Sequence, residues 1–283
     1  DKDDPGSVGI TITSSINVDI GNNEIYGWDG TAVEVMDPDE RLNLENATSV
    51  RVHDNYIHHN RHYREQGYGV KTTNGYALIE RNVFDYNRHA LVGGHEEGTG
   101  YLAYQNLLLS NGGENWEGGP LETYTHQSDV HGSKVCAGGK DAYCGHAGEY
   151  FDYRYNTSHY TAGNFIKVRG YPDIRADVTR NAIAILLRDP IVQTDGNNLY
   201  QWNNQLFASS SYRTNACDFD GDGLPDQFMA TGVTWWYRST AGHWNYLNTS
   251  SRHASGIATR STAASDRAGQ TCTGRMSPMS VPI

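Results

Sequence analysis

Short segments in which apolar and polar residues alternate recur along the chain, and this pattern predicts half-buried β-strands. One set of segments comprises residues 10–13, 50–53, 77–80, 150–153 and 176–179. A second set comprises residues 32–35, 69–72, 90–93, 129–132 and 165–168. No helical period separates the strands. A doubly wound α/β sheet is therefore excluded, because it needs helical patterns of about 10–15 residues between its strands.

An asparagine returns with these strands, and its positions are Asn23, Asn55, Asn82, Asn106, Asn156 and Asn181. The spacings are 32, 27, 24, 50 and 25 residues, so a period of about 25 is lengthened twice by insertions. A period in this range is typical of a solenoid, in which each coil buries its apolar face only against another coil. Asparagine suits a solenoid corner, because it tolerates left-handed backbone angles and its side chain pairs with the backbone and with the next asparagine.

These patterns predict an all-β chain whose residues 1–190 form a right-handed parallel β-helix, a solenoid with two or three short strands in each coil. The repeat over residues 8–190 resembles the parallel β-helix proteins of bacteria and fungi, a superfamily that includes pectate-lyase-like and related carbohydrate-active enzymes. The resemblance implies the fold more strongly than a reaction, because one fold hosts many functions.

Residues 191–283 lie beyond the repeat, and we expect them to form a small β-rich cap on the open end of the solenoid, where strand edges need cover. Residues 218–226 and the aromatic residues that follow resemble a single FG-GAP or VCBS-type repeat, a unit of secreted bacterial proteins. Oxygen ligands at alternate positions wrap a cation of the size of Ca²⁺. The expected ligands of a structural Ca²⁺ are Asp218, Asp220, Asp222, Asp226 and the carbonyl of Leu224. An uncomplexed acidic turn is the alternative.

Charge and composition limit the partners. The net charge of −11 argues against a nucleic-acid partner, which needs a basic surface. No apolar run approaches the length of a membrane span. Only 19% of residues are charged, and the 31 glycines and 19 tyrosines suit a secreted, β-rich protein. Because Asp1 follows no signal peptide, we expect a mature product, preceded in its precursor by a further N-terminal segment.

The four cysteines form two plausible pairs, Cys136 with Cys144 and Cys217 with Cys272. The first pair would close a short glycine-rich insert, and the second would join the ends of the C-terminal segment. An even cysteine count in a secreted protein favours disulfides. Zinc is the alternative, although the chain has no Cys-x-x-Cys spacing.

Candidate site residues emerge when the second set of strands is aligned. One outward column would contain Glu34, Lys71, Val92, His131 and Lys167, and the next Met36, Thr73, Gly94, Ser133 and Arg169. Stacked coils lie about 4.8 Å apart, so Lys71, His131, Lys167 and Arg169 would form a positive patch. A positive patch on an acidic protein suits an anionic ligand. Further histidines occur on the same side and in the long inserts, at His89, His95, His126 and His146.

Two reactions fit an enzyme of this kind. In β-elimination on a uronic acid polymer, Lys71 or His131 would be the base, Lys167 and Arg169 would hold the carboxylate, and His89 or a tyrosine would be the acid. We expect His95 and His126 to contribute to substrate binding. In glycoside hydrolysis two carboxylates flank the bond, and the candidates are Asp85, Asp129, Glu96 and Glu34.

Elimination ranks higher, because it uses the residues that align best. A zinc site built from His95, His126, His131 and His146 is a further alternative, although their spacing matches no metal motif. A surface β-helix that binds a glycan without cutting it is the non-enzymatic alternative. We therefore expect a secreted enzyme whose substrate is an extracellular, acidic polysaccharide.

Overall fold

Seven coils, each contributing one strand to each of three parallel sheets, form a parallel β-helix. This computed structural model describes residues 6–60, 66–112, 126–134, 144–184, 189–194, 198–206 and 213–249, without the side chains of 213–217. The only helical segment within these ranges is the 3₁₀ turn Leu44–Asn46. The predicted all-β solenoid is confirmed. No helix in the described ranges is long and apolar enough to cross a membrane.

The three parallel sheets, here called A, B and C, follow one another in every coil. Sheet A contains Val8–Thr13, Thr31–Met36, Tyr68–Thr73, His89–Gly93, His126–Val130, Asn164–Arg169 and Ile191–Thr194. Sheet B contains Val18–Gly21, Val50–His53, Leu78–Glu80, Gly100–Tyr104, Tyr150–Arg154, Arg175–Thr179 and Leu199–Trp202. Sheet C contains Glu24–Tyr26, Tyr56–His58, Val83–Asp85, Leu107–Leu108, Thr157–Ser158, Ala182–Ile183 and Gln205–Leu206. Coils are numbered 1 to 7 in this order.

Two boundaries differ from those predicted. Residues 10–13 belong to Val8–Thr13, which pairs with Thr31–Met36 in sheet A, so the first strand of sheet B is Val18–Gly21. The solenoid also does not end at residue 190. Coil 7 continues the parallel pairing of all three sheets as far as Leu206.

The interior of the solenoid is filled by one face of each sheet, as the alternating pattern predicts. Val33 and Val35 of sheet A, Val50 and Val52 of sheet B, and Ile57 of sheet C are fully buried. Wider coils use aromatic rings, among them Tyr101, whose ring centroid lies 4.9 Å from that of Phe151 in an edge-to-face contact. The opposite face of each sheet is left for polar side chains.

The asparagines line one corner, between sheets B and C, as expected. Asn82 is typical: its Oδ1 accepts the backbone N–H of Asn55 at 3.1 Å and the Nδ2 of Asn55 at 3.0 Å. Its own Nδ2 donates to the Val52 carbonyl at 2.8 Å and to Asn106 Oδ1 at 3.2 Å. The ladder runs through all six predicted positions and adds a seventh, Asn204, which accepts from Asn181.

The left-handed backbone angle falls on the residue before each ladder asparagine, not on the asparagine. Asp54 has φ of 53° and Arg81 has φ of 54°, and the same holds at Asn22, Gln105, Tyr155, Arg180 and Asn203. Such angles cost free energy in residues other than glycine. The side-chain amide that follows satisfies the backbone groups exposed by the turn, which offsets this cost.

A second, shorter ladder lies between sheets C and A. Asn60 donates its Nδ2 to Asn87 Oδ1 at 2.8 Å, and its own Oδ1 accepts the N–H of Trp28 at 3.0 Å. His59 and Tyr86, the residues before the two asparagines, again have positive φ. Their rings stack with centroids 4.4 Å apart. Two corners of coils 1 to 4 are thus fixed by amide side chains.

The C-terminal residues form a fourth, antiparallel sheet D of strands Arg213–Cys217, Asp226–Ala230, Thr234–Arg238 and Trp244–Thr249. Its buried Met229 and Trp236 pack against Val83 and Leu107 of the solenoid. The hydroxyls of Thr157 and Thr234 lie 2.9 Å apart. Among the described residues sheet D therefore covers the side of the solenoid formed by sheet C, and not its open end as expected.

The histidines that follow the ladder asparagines are not turn decoration. His58 pairs with Asp85 across neighbouring strands of sheet C and stacks on Tyr56 at 4.0 Å. His159 is 2% exposed and lies 3.0 Å from the sulfur of Met229, under sheet D. Burial lowers the pKa of His159 to about 4, so this imidazole is neutral where the two parts of the protein meet.

Replacement of a central ladder residue, Asn82→Ala, should destabilise the solenoid by about 1–3 kcal/mol, because buried backbone donors and acceptors lose their partners. Asn23→Ala is the matched control. Asn23 is exposed at the end of the ladder, and we expect its loss to cost less than about 0.5 kcal/mol. Urea unfolding measures both values. Equal losses at the two positions would contradict the role assigned to the ladder.

Candidate active site

The strand register of sheet A decides which outward residues are neighbours. Asp129 of coil 5 lies between Val92 of coil 4 and Lys167 of coil 6. The sequence alignment placed His131 there, which is wrong by two residues. Because Val130 pairs with Val168, the next residue, His131, is level with Arg169, where Ser133 was expected. The N–H of His131 donates to the Gly93 carbonyl at 2.8 Å.

A buried carboxylate is the centre of the cluster. Asp129 is 1% exposed, and Arg169 donates to it from two nitrogens, with Nε 3.1 Å from Oδ1 and Nη2 bonded to Oδ2. The Nε2 atom of His126 lies 3.2 Å from Oδ2. Burial alone would raise the pKa of Asp129, but His126 and Arg169 hold it well below its usual range. The carboxylate is therefore ionised and held by two partners.

His89 is packed against this centre. Its ring stacks on that of His126 with centroids 4.4 Å apart, and its Nδ1–H donates to the His126 carbonyl. Arg88 Nη1 lies 3.0 Å from the other ring nitrogen. Because an arginine donates only, these partners assign the proton of neutral His89 to Nδ1. Burial, His126 and Arg88 keep its pKa well below the usual value. His89 thus has no proton to deliver, and we give it a positioning role.

Lys71 lies at the rim of the cluster. Its Nζ bonds Glu34 Oε1 at 2.7 Å. In the column of sheet A, Val92 separates Lys71 from Asp129, so the two side chains begin about 10 Å apart. The ion pair and this distance make Lys71 a weak candidate for a base acting near Asp129.

Two half-buried groups face solvent beside the buried centre, and they are Lys167 and His131. Burial lowers the pKa of His131 to about 4, and Arg169 and His95 lower it further, against the opposing effect of Asp129. His131 is therefore a neutral imidazole at neutral pH. Lys167 is next to Asp129 in register, and its charge also lowers the pKa of His126.

The remaining predicted histidines lie beside this cluster in a different arrangement. His146 bonds the His95 carbonyl at 2.6 Å through Nδ1 and Asp173 at 2.9 Å through Nε2. Burial lowers its pKa, but the bonds to Asp173 and to the His95 carbonyl outweigh burial, so the net shift is upward. His95 itself lies 3.9 Å from Glu96 and is half exposed. These two residues connect the turns after the sheet A strands of coils 4 and 5.

One group of potential metal ligands lies here, namely His89, His126 and Asp129, whose ligand atoms are within 4.8 Å of one another. Arg88 and Arg169 contact two of the three ligands, so a divalent cation would have to displace two guanidinium groups. Among the described residues His95, His131 and His146 do not join this group. The arrangement fits an anionic ligand better than zinc.

The carboxylates considered for hydrolysis do not form a pair. Glu34 and Asp129 are three strands apart in one column, roughly 14 Å, whereas an inverting pair needs about 6.5–9.5 Å. Asp85 belongs to sheet C, on another side of the solenoid. One oxygen of Glu96 is buried without a hydrogen-bond partner. None of these residues stands opposite a second free carboxylate of the predicted set.

The acidic loop at residues 218–226 has a shape suited to a cation. Carboxylate oxygens of Asp218, Asp220 and Asp222 lie within 4.8 Å of one another. Asp218 also accepts the N–H groups of Gly221 and Gly223, at 2.7 and 2.9 Å, which bends the loop around it. Asp226 is 1% exposed, and its Oδ1 is buried without a hydrogen-bond partner. Leu224 is exposed at the loop surface.

The cysteine pairings stay predictions. Cys144 is 9% exposed, next to the turn that carries His146. Cys136, Cys272 and the side chain of Cys217 lie outside the described residues.

Sequence analysis located the correct face of sheet A but missed that Asp129 is its centre. Asp129 was considered only as one of several carboxylates. The available signal was the strand alternation itself: a shift of two residues keeps the same face outward, and it brings Asp129 level with Lys167. Arg88, which contacts His89, was not singled out either.

Asp129→Asn should destabilise the protein by about 3–5 kcal/mol, because it leaves the buried Arg169 without a charge partner. Glu34→Gln removes the partner of Lys71 in a pair of which Lys71 is 30% exposed, and it should cost less than about 1 kcal/mol. Thermal and urea unfolding of both variants measures the difference. If Asp129→Asn were as mild as Glu34→Gln, Asp129 would not anchor the cluster.

Comparison of the chain with models of protein families, with curated proteins and with solved structures finds no match. The parallel β-helix is thus described from its own sheets, and any function has to be argued from the geometry of its sites.

Proposed function

We propose that the outward face of sheet A in coils 4 to 6 cleaves an acidic polysaccharide by β-elimination, outside the cell. The observation that carries the proposal is the grouping of His126, His131, Lys167 and Arg169 around buried Asp129, on a protein of net charge −11. Local positive charge on an acidic protein favours an anionic ligand. The pectate-lyase-like resemblance of the repeat supports the same substrate class.

The two half-buried groups have complementary roles in this proposal. Lys167 neutralises the uronate carboxylate, whose charge increases in density as the α-proton leaves. Neutral His131 takes that proton. Asp129, bonded to Arg169 and close to His126, fixes the strand end from which His131 projects and keeps the two cations in place. Arg169 is occupied by Asp129, so it acts as a positioning residue and not as a free carboxylate clamp.

The reaction closes with these groups alone. The C–H bond α to the carboxylate breaks, and its proton moves to the free nitrogen of His131 while the electron pair forms the new carbon–carbon double bond. The bond to the leaving sugar oxygen breaks. The imidazolium then returns the proton to that oxygen, so one residue is base first and acid afterwards. The products are an unsaturated uronate end and a new reducing end.

Mixing the protein with a panel of acidic polysaccharides tests the reaction. A lyase produces reducing ends together with the ultraviolet absorbance of the unsaturated uronate. His131→Gln should lower kcat by about 10²–10⁴-fold without a change in fold, because the base is lost. His243→Gln, the same change at an exposed histidine of sheet D, should be silent. Reducing ends without absorbance would indicate a hydrolase, and neither signal with retained binding would indicate a glycan-binding protein.

The pH profile identifies the base. His131 must be deprotonated to act, and its pKa is lowered to about 4. We therefore expect kcat/KM to rise with pH through about 4 and to be level from there to neutral pH. A rate that continued to climb above neutral pH would contradict His131 as the base.

We further propose that the loop at residues 218–226 binds Ca²⁺, as its resemblance to an FG-GAP or VCBS-type repeat implies. Three carboxylates that converge within 4.8 Å and the buried, unpartnered Oδ1 of Asp226 support this. Oxygen ligands of this number and charge suit a hard cation. The ion would hold together the loop that leads into the strand Asp226–Ala230, and so stabilise sheet D.

Removal of calcium by EDTA should lower the melting temperature, because a ligand bound only by the native state adds about 2.7 kcal/mol at a hundredfold excess over Kd. Asp220→Ala should abolish the response to EDTA. Asp189→Ala changes an exposed aspartate elsewhere and should leave that response intact. Calcium titration by calorimetry gives the stoichiometry. An unchanged melting temperature in EDTA together with no heat of binding would reduce the loop to an acidic turn.

A further inference from the structure

A second candidate site lies on the outward face of sheet B, over coils 5 to 7. A cavity of about 450 Å³ opens there. Three strands form its floor, namely Tyr150–Arg154, Arg175–Thr179 and Leu199–Trp202. None of its residues belongs to the cluster on sheet A, and the predicted site residues do not include any of them.

Two neighbouring carboxylates anchor the floor. Asp152 and Asp177 are paired in register, and Tyr200 follows them on coil 7. Asp152 accepts the Tyr104 hydroxyl at 2.8 Å and two nitrogens of Arg154. Asp177 lies 2.8 Å from Arg175 Nε. Both carboxylates are thus occupied by arginines, which makes the floor rigid and excludes an acid–base pair of the glycosidase type.

Arg180 has a different environment. Its Nη1 donates to the Tyr155 hydroxyl at 2.7 Å, and its guanidinium lies 4.9 Å from the centroid of the Trp202 ring. Among the described residues no carboxylate contacts it. The cavity is lined by three arginines and two aspartates, so it carries one uncompensated positive charge. A guanidinium stacked on an aromatic ring can still donate two parallel hydrogen bonds to a carboxylate.

Aromatic surface is exposed next to this charge. Tyr200 and Trp202 are each 50% exposed, on the same outward face of coil 7. Large aromatic side chains bury area readily and usually do so in a folded protein. Half-exposed rings beside a cavity provide flat apolar faces, on which the C–H face of a sugar ring can stack, while the arginines and the Tyr150 hydroxyl supply hydrogen bonds.

We propose that this face of sheet B is a binding site for a segment of a uronic-acid glycan. A sugar ring stacks on Trp202, and its carboxylate takes the free donors of Arg180. Arg175, whose side chain is 54% exposed, provides a second donor one strand-end away. The proposal takes its substrate class from the proposed function but does not depend on cleavage, because no residue of this face takes part in the elimination.

The test is calorimetric titration of a short polygalacturonate oligosaccharide into the full chain carrying His131→Gln and Lys167→Ala, which removes turnover and the cation assigned to sheet A. In this background Trp202→Ala and Arg180→Gln should each weaken binding at least about tenfold. Binding should also weaken with added salt, because the contact to Arg180 is ionic. A neutral oligosaccharide of the same length should bind more weakly, and Arg180→Gln should not affect it.

Tyr26→Ala is the matched control, since Tyr26 is an equally exposed aromatic residue, 58% exposed on sheet C of coil 1. It should leave binding unchanged. Arg180→Gln keeps the proposal testable if Trp202→Ala fails to fold. Equal affinity for neutral and acidic oligosaccharides overturns the proposal, and so does a loss with Tyr26→Ala equal to that with Trp202→Ala. Concentration-dependent dimerisation abolished by Trp202→Ala, without glycan binding, would assign the face to a second copy of the chain.

Failure of this proposal is distinguishable from failure of the elimination. Binding that depends on Arg180 in a protein that cleaves no polysaccharide would leave the sheet B site standing and refute the lyase. Cleavage that depends on His131, with no binding by the sheet B face, would do the reverse.

Discussion

The asparagine ladder between sheets B and C is the constraint on which the rest of the structure depends. Each amide group has two donors and a carbonyl oxygen, and at Asn82 all of them bond to the coils on either side. The turn it closes contains a residue with positive φ, which is costly outside glycine. Because the ladder fixes one corner of every coil, the strands that leave this corner start in register. The columns of side chains on sheets A and B follow from that register.

The ladder and the strands could be predicted because their signals are local. A single asparagine marks each turn, and alternation over four or five residues marks each strand. Coil 7 was missed although the same signals exist there: Asn204 comes 23 residues after Asn181 and follows the strand Leu199–Trp202. The left-handed residue before each asparagine could not be assigned by residue type, since Arg81, Gln105 and Tyr155 are not turn formers. Tertiary bonds of the ladder override their preference.

The site on sheet A could be predicted only as a face. An error of two residues in the alignment of coil 5 keeps every side chain on its correct side, so alternation cannot detect it. The insert before His126 contains no ladder asparagine that would have corrected the count. The ion pair of Arg169 with Asp129 joins residues 40 apart in the chain, and its partners are diagonal neighbours on adjacent strands. Sequence pattern identifies which residues face outward, whereas their partners depend on the register.

The two faces deal with charge in opposite ways, and this difference follows from the strands on which the carboxylates lie. On sheet B, Arg154 and Arg175 have an aspartate two positions away on their own strands, so most of the positive charge is neutralised locally and Arg180 remains. On sheet A one aspartate serves His126 and Arg169, and Lys167 adds a charge that Asp129 only partly offsets. Coils about 4.8 Å apart repeat on the scale of a sugar ring. A linear polymer that runs along the solenoid axis would therefore meet equivalent positions of successive coils with successive sugars. Such an arrangement suits a polymeric ligand better than a small molecule, on either face.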